Sequence, residues 1–149
     1  MATTTAIGLL AVRRAIWIDA APERVWQEFE SLDRMKRWYG TGHTLVEYQP
    51  RVGAMVKTDA GGDELRFEGR VVVYDPPREL TFEQDWRGKG WTAPALVTLR
   101  LTPHIGGTVV ELFHHGFERM GAAAGEIQRG FEGGWTTRQL EALREIAEA

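Results

Sequence analysis

The chain has 149 residues, of which 43% are hydrophobic and 26% charged, a balance that suits one globular domain with its own core. Its 18 Lys and Arg against 21 Asp and Glu give a formal charge of −3 with the signs interspersed, so no field is on hand to hold a polyanion, and nucleic acid is not an expected partner. There is no cysteine, no apolar run near the roughly 18 residues of a membrane helix, and no basic, apolar, cleavable leader in MATTTAIGLLAVRR; a cytoplasmic protein that does not insert into membranes is expected.

Leu10 to Asp19 is rich in strand formers and predicts a first strand. In DAAPERVWQEFE, Pro22 suits the first turn of a helix, where its missing N–H costs nothing, so a helix is predicted from about Pro22 to Phe29 with Val25, Trp26 and Phe29 at helical spacing. Ser31 is placed to cap a second short helix through Trp38, which carries Leu32, Met35 and Trp38 in three-residue steps and completes a helical hairpin.

From Leu45 to Phe117 the period changes to two. Leu65, Phe67, Val71 and Val73 alternate with Arg66, Glu68, Arg70 and Val72, which predicts a strand with one buried face over Leu65 to Tyr74. Turn signals at Arg51-Val52-Gly53, Ala60 to Asp63, Asp75-Pro76-Pro77, Gly88-Lys89-Gly90 and Ile105-Gly106-Gly107 cut the region into about six strands of an antiparallel meander. Gly121 to Glu148 then reads as a long helical segment whose broad apolar face holds Ile127, Phe131, Trp135, Leu143 and Ile146, interrupted by Gly133-Gly134. The diglycine serves either close packing of helix on sheet or room for a ligand beside Trp135. The predicted fold is α+β: a curved antiparallel sheet of about seven strands around the C-terminal helix, with two short helices after the first strand.

Five segments, DAAPERVWQEF with RWYG, VVVYDPPRELTF, PALVTLRLTPHIGGTVVELFHHGF and the late GW, stand in an order that resembles the SRPBCC or START-like superfamily. Within it the chain is similar to the C-terminal domain of the activator of the ninety-kilodalton heat-shock chaperone's ATPase. The resemblance implies a helix-grip fold with a hydrophobic cavity between sheet and C-terminal helix, and activities that range from ligand binding and polyketide cyclisation or dehydration to self-resistance and chaperone partnership.

Aromatic residues scattered over every segment, interrupted by Gln84, Thr98 and His114, suit the wall of such a cavity. Trp26 and Trp38 either cap its mouth or seal the hairpin onto the sheet; Trp38 is read as pocket-facing. Alternation places Phe67, Phe82, Gln84, Trp86, Leu112 and His114 inward, Gln84 in need of a hydrogen-bond partner, and His115 outward. With Phe117, Phe131 and Trp135 these residues make up the predicted ligand site. Adjacent strand histidines diverge, so no metal is expected, and no motif asks for a cofactor. No nucleophile elbow, zinc helix or phosphate loop is present, and GGDE at Gly61 to Glu64 reads as a turn. If the protein has an enzymatic activity, His114, Glu47 or Arg70 is the candidate proton-transfer group. The expected function is binding of a hydrophobic or aromatic small molecule by a monomer or homodimer.

Overall fold

Alternating sequence becomes strands because successive side chains leave the backbone on opposite faces. The computed structural model, which describes residues 6–8, 10–39, 44–59, 66–86 and 90–149, contains β1 (Val12–Ile18), β2 (Thr44–Glu47), β3 (Met55–Asp59), β4 (Arg66–Asp75), β5 (Glu79–Trp86), β6 (Ala95–His104) and β7 (Gly107–His115). They form one antiparallel sheet in the order β1-β7-β6-β5-β4-β3-β2, so β2 to β7 are a meander and β1 returns beside β7. Leu65, the 60–63 turn and residues 88 and 89 of the next predicted turn lie outside the described residues.

Strand β4 carries two irregular features. In β4 a side chain at Gly69 would place its Cβ 1.8 Å from the backbone oxygen of Glu83, so only glycine permits this approach of β5. Between Val71 and Val73 the β4–β5 register slips, pairing Val71 with Phe82 but Tyr74 with Leu80. The slip corrects the predicted alternation: an extra residue reverses the phase, so Tyr74 packs against the core and Val73 does not.

The hairpin of helices is built as short pieces. Pro22 opens α1 (Pro22–Trp26), a 3₁₀ turn follows over Gln27–Phe29, and the Ser31 hydroxyl accepts the Arg34 N–H at 3.2 Å to start α2 (Leu32–Lys36). Trp26 stacks on Phe29 at 4.7 Å, and Phe29 meets Trp38 at 5.1 Å. Beneath them the buried Glu28 carboxylate receives Arg24 at 2.9 Å, Arg34 at 2.8 Å and Arg37 at 3.5 Å.

The C-terminal helical segment is present and breaks just after the diglycine that interrupts it in the sequence. A 3₁₀ stretch (Phe117–Ala123) leads into α3 (Ala124–Gly134), Trp135 is extended at ψ 136°, and α4 (Arg138–Glu148) follows. Leu140, Leu143 and Ala147 of α4 enter the main core with Ile18, Leu80, Leu99 and Leu112. Below α3, Ala124, Ile127 and Phe131 join a second cluster with Val12, Ala95, Phe117 and Met120. Only open space surrounds a Cβ at Gly133 or Gly134. The diglycine therefore does not serve close packing on the sheet; it ends α3 just before the chain turns extended. Among the described residues no helix is long and apolar enough to cross a membrane.

Candidate functional site

The two clusters meet at Trp135, which packs against both. Its position is set by Arg14 of β1, whose guanidinium donates to the carbonyls of Glu132 at 3.0 Å and Trp135 at 3.1 Å and pairs with the Glu132 carboxylate at 2.9 Å. A cation on the last carbonyls of α3 complements the negative end of its dipole. Held there, the Trp135 indole donates its Nε1–H to Nδ1 of His114 at 2.9 Å.

That bond fixes the chemistry of His114. The residue is 0% exposed and burial pulls its pKa down to about 3, with His115 adding a smaller push in the same direction, so the ring is neutral. Because Nδ1 accepts from Trp135, the single ring hydrogen sits on Nε2. Nε2 is buried and has no hydrogen-bond partner among the described residues. The same holds for Gln84 Oε1, Tyr39 Oη and Gln139 Oε1. Val97 of β6 pairs with Phe82 on one side and His114 on the other, while Gln84 lies two residues beyond Phe82, so Gln84 and His114 share the concave face.

Aromatic rings run from His114 toward the surface. His114 contacts Phe131 at 4.4 Å and Phe117 at 4.9 Å; Phe131 meets Phe67 at 6.1 Å and Trp91 at 6.0 Å; Trp86 touches Phe67 at 5.5 Å and Trp91 at 6.0 Å. Tyr39 extends the wall inward, 5.9 Å from Phe82 and 6.3 Å from Trp135. At the outer end a cleft of about 320 Å³ is lined by Trp86, Gly90, Trp91, Thr92, Met120, Ala123 and Ile127. Thr92 donates to the Arg119 carbonyl at 2.9 Å and Arg119 donates to the Pro94 carbonyl, which ties the two lips of the cleft together.

Of the sequence candidates, Phe67, Trp86, His114, Phe117, Phe131 and Trp135 are thus brought into one run of ring contacts, Phe82 reaches it through Tyr39, and Gln84 shares its face of the sheet. Leu112 is not among these contacts, and Trp38 meets the wall only through Tyr39, at 5.8 Å. Trp38 is buried between Phe29 and Tyr39 and donates to the Glu28 carbonyl at 3.1 Å, while Leu112 sits in the main core. Trp26 bonds the Tyr74 hydroxyl at 3.2 Å, so both hairpin tryptophans seal the helices onto the sheet. His115 departs from the outward reading. It is on the opposite face from His114 but 1% exposed, bonded through Nε2 to the Thr98 hydroxyl at 2.8 Å in a chain that continues to Thr81 at 2.9 Å and Glu79 at 2.8 Å. Glu47 pairs with Lys57 at 3.5 Å and Arg70 donates to the Gly53 carbonyl at 2.8 Å, both away from His114. Among the described residues no cluster of three His, Asp or Glu is arranged to hold a metal.

Sequence reasoning did not single out Tyr39, Trp91, Met120 or Arg14. Tyr39 lies in RWYG beside Trp38, and Trp91 lies five residues after Trp86, so each stands near a residue that the sequence did single out. Arg14 carries no local signal, because its role depends on where α3 ends.

Comparison with known proteins agrees with this architecture. No curated protein matches the chain. A solved structure from Mesorhizobium loti superposes with a TM-score of 0.72 at 20% identity over 93% of this chain and 96% of that one. The Aha1 dimer from Colwellia psychrerythraea gives 0.69 at 18% identity, over 93% and 96%. DynU16, from the dynemicin biosynthetic locus, gives 0.65 at 21% identity, covering 93% of this chain and 47% of its own. At these identities the likenesses speak to the fold, a helix-grip α+β fold with a curled seven-stranded sheet. The profile of the activator of Hsp90 ATPase homolog 1-like proteins matches residues 19–148, and the chain therefore belongs to that family, within the SRPBCC or START-like superfamily.

Proposed function

We propose that this protein binds a flat hydrophobic or aromatic small molecule, lipid- or polyketide-like, at the junction between the sheet and α3. The observation that carries this reading is the unbroken path of rings from the Trp86 and Trp91 cleft through Phe67 and Phe131 to His114 and Trp135. Apolar walls with a few convergent polar atoms are the usual makeup of small-molecule sites. A path built only for stability has no need of buried polar atoms left without partners.

Turnover is the second reading, favoured by the structural likeness to a protein of a natural-product locus. The site chemistry favours binding. A general base needs an available lone pair with a pKa near the working pH, whereas His114 offers its lone pair to Trp135 and its pKa is about 3. Titration with neutral polycycles, followed by tryptophan quenching, tests the proposal. Saturable 1:1 quenching that weakens about tenfold or more in Trp91→Ala and Phe131→Ala is expected; unsaturable quenching, or affinity unchanged in both variants, contradicts it.

A further inference from the structure

We infer that the occupant of this junction is an uncharged molecule bearing a hydrogen-bond acceptor, in the first instance a ring ketone or quinone oxygen, which receives the Nε2–H of His114. The inference rests on the binding reading above and specifies the ligand's chemistry.

Three features lead to it. First, the direction of the bond from Trp135 leaves His114 as a donor only: Nδ1 is occupied and Nε2 carries the hydrogen. A polar group reaching this ring must therefore accept. Second, the rings in contact with His114 are Phe117, Phe131 and Trp135, and the strand neighbours opposite it are Val12 and Val97. None of these is charged, and the nearby guanidinium of Arg14 is already paired with the Glu132 carboxylate and two carbonyls. An anion entering here would lose its hydration without gaining a counter-charge, and a cation would face a donor hydrogen. Third, Gln84 Oε1 on the same face is a buried acceptor, so a hydroxyl on the far side of the ligand would find a partner there. His114 and Gln84 stand two strand spacings apart and two residues offset along the strand, roughly 12 Å between their backbones, so that inward-pointing side chains leave about the span of a tricyclic skeleton.

Fluorene and 9-fluorenone test the inference, because the two flat tricycles differ chiefly at one carbon, a methylene in the first and a carbonyl in the second. Dissociation constants are measured for wild type, His114→Phe and His114→Gln. Wild type is expected to prefer fluorenone by about fivefold or more, with the preference abolished in His114→Phe while fluorene still binds; in His114→Gln the amide N–H retains part of it. Should the His114 variants unfold, the imidazole Nε2–H signal of wild type in ¹H–¹⁵N spectra supplies a second readout. It is expected to move with fluorenone and to stay in place with fluorene. Equal affinity for the two compounds, or an imidazole signal unmoved while the tryptophan indoles respond, overturns the acceptor inference and leaves the binding reading standing, with His114 bonded to adventitious water only. Failure of both compounds to bind overturns both.

Discussion

Trp135 at the end of α3 and His114 on β7 are joined by a 2.9 Å hydrogen bond from indole to imidazole, inside a junction walled mainly by aromatic rings. The bond locks a helix end to the sheet and selects one tautomer of the histidine. Trp135→Phe keeps an aromatic side chain but removes the donor and part of the ring system, leaving Nδ1 buried without a partner. A loss of about 1–3 kcal/mol in urea unfolding is expected. An unchanged midpoint would show that the bond contributes nothing.

Acid should destabilise the fold earlier than carboxylate titration alone would. Burial holds His114 at about 3 and His115 at about 4, against about 6.5 for the unfolded chain. Below pH 6.5 the unfolded chain takes up protons that the native one refuses, so the stability is complete above that pH and falls as pH falls. The slope is up to about 1.4 kcal/mol per pH unit for each histidine. Unfolding free energies at pH 7.5, 6.5, 5.8 and 5.2 are expected to decline accordingly, and His115→Gln to reduce the slope by about half. A flat profile to pH 5.2 contradicts the burial of both rings.

Gly134 is expected to tolerate a methyl group. Nothing lies within 4 Å of the Cβ position, and alanine exceeds glycine in helix propensity by about 1 kcal/mol. Gly134→Ala should raise the thermal midpoint by a few degrees. A lower midpoint would mean that α3 must stop where it does for Trp135 to reach His114.

Glu28 organises the helical hairpin through three arginines, one of which also donates to the Ile146 carbonyl of α4 at 3.0 Å. The carboxylate is 0% exposed, whereas the arginines reach solvent. Glu28→Gln leaves cations that water can still hydrate, so the cost is expected at about 1–3 kcal/mol, below that of stranding a buried charge. Wild-type stability in denaturant would show that the cluster only decorates the surface.

The fold was legible because its signals are local. Pro22 and Ser31 open helices by backbone chemistry, and the turn residues divide the meander whatever surrounds them. What was not legible depended on distant partners. The slip after Val71 reverses the face of Tyr74 through pairing with β5, and the close approach at Gly69 is made by Glu83. His115 is buried because Thr98, Thr81 and Glu79 on neighbouring strands extend a polar chain to it, a context its own strand does not disclose. Alternation located His114 correctly on the concave face, yet its role as a donor follows only from Trp135, 21 residues later. The cleft, too, escaped the sequence, since Trp91, Met120 and Ile127 come from three separate segments.

The six tryptophans are spread so as to test the proposed ligand site directly. Trp86, Trp91 and Trp135 line the path, Trp26 and Trp38 seal the helical hairpin, and Trp17 is exposed on β1, bonded to the His104 carbonyl. With the indole ¹H–¹⁵N signals assigned by substitution, titration with 9-fluorenone is predicted to shift Trp86, Trp91 and Trp135 along one saturable curve and to leave Trp17, Trp26 and Trp38 in place. Shifts confined to Trp17, Trp26 or Trp38, or no saturable shift at any indole, would contradict a ligand site between the sheet and α3.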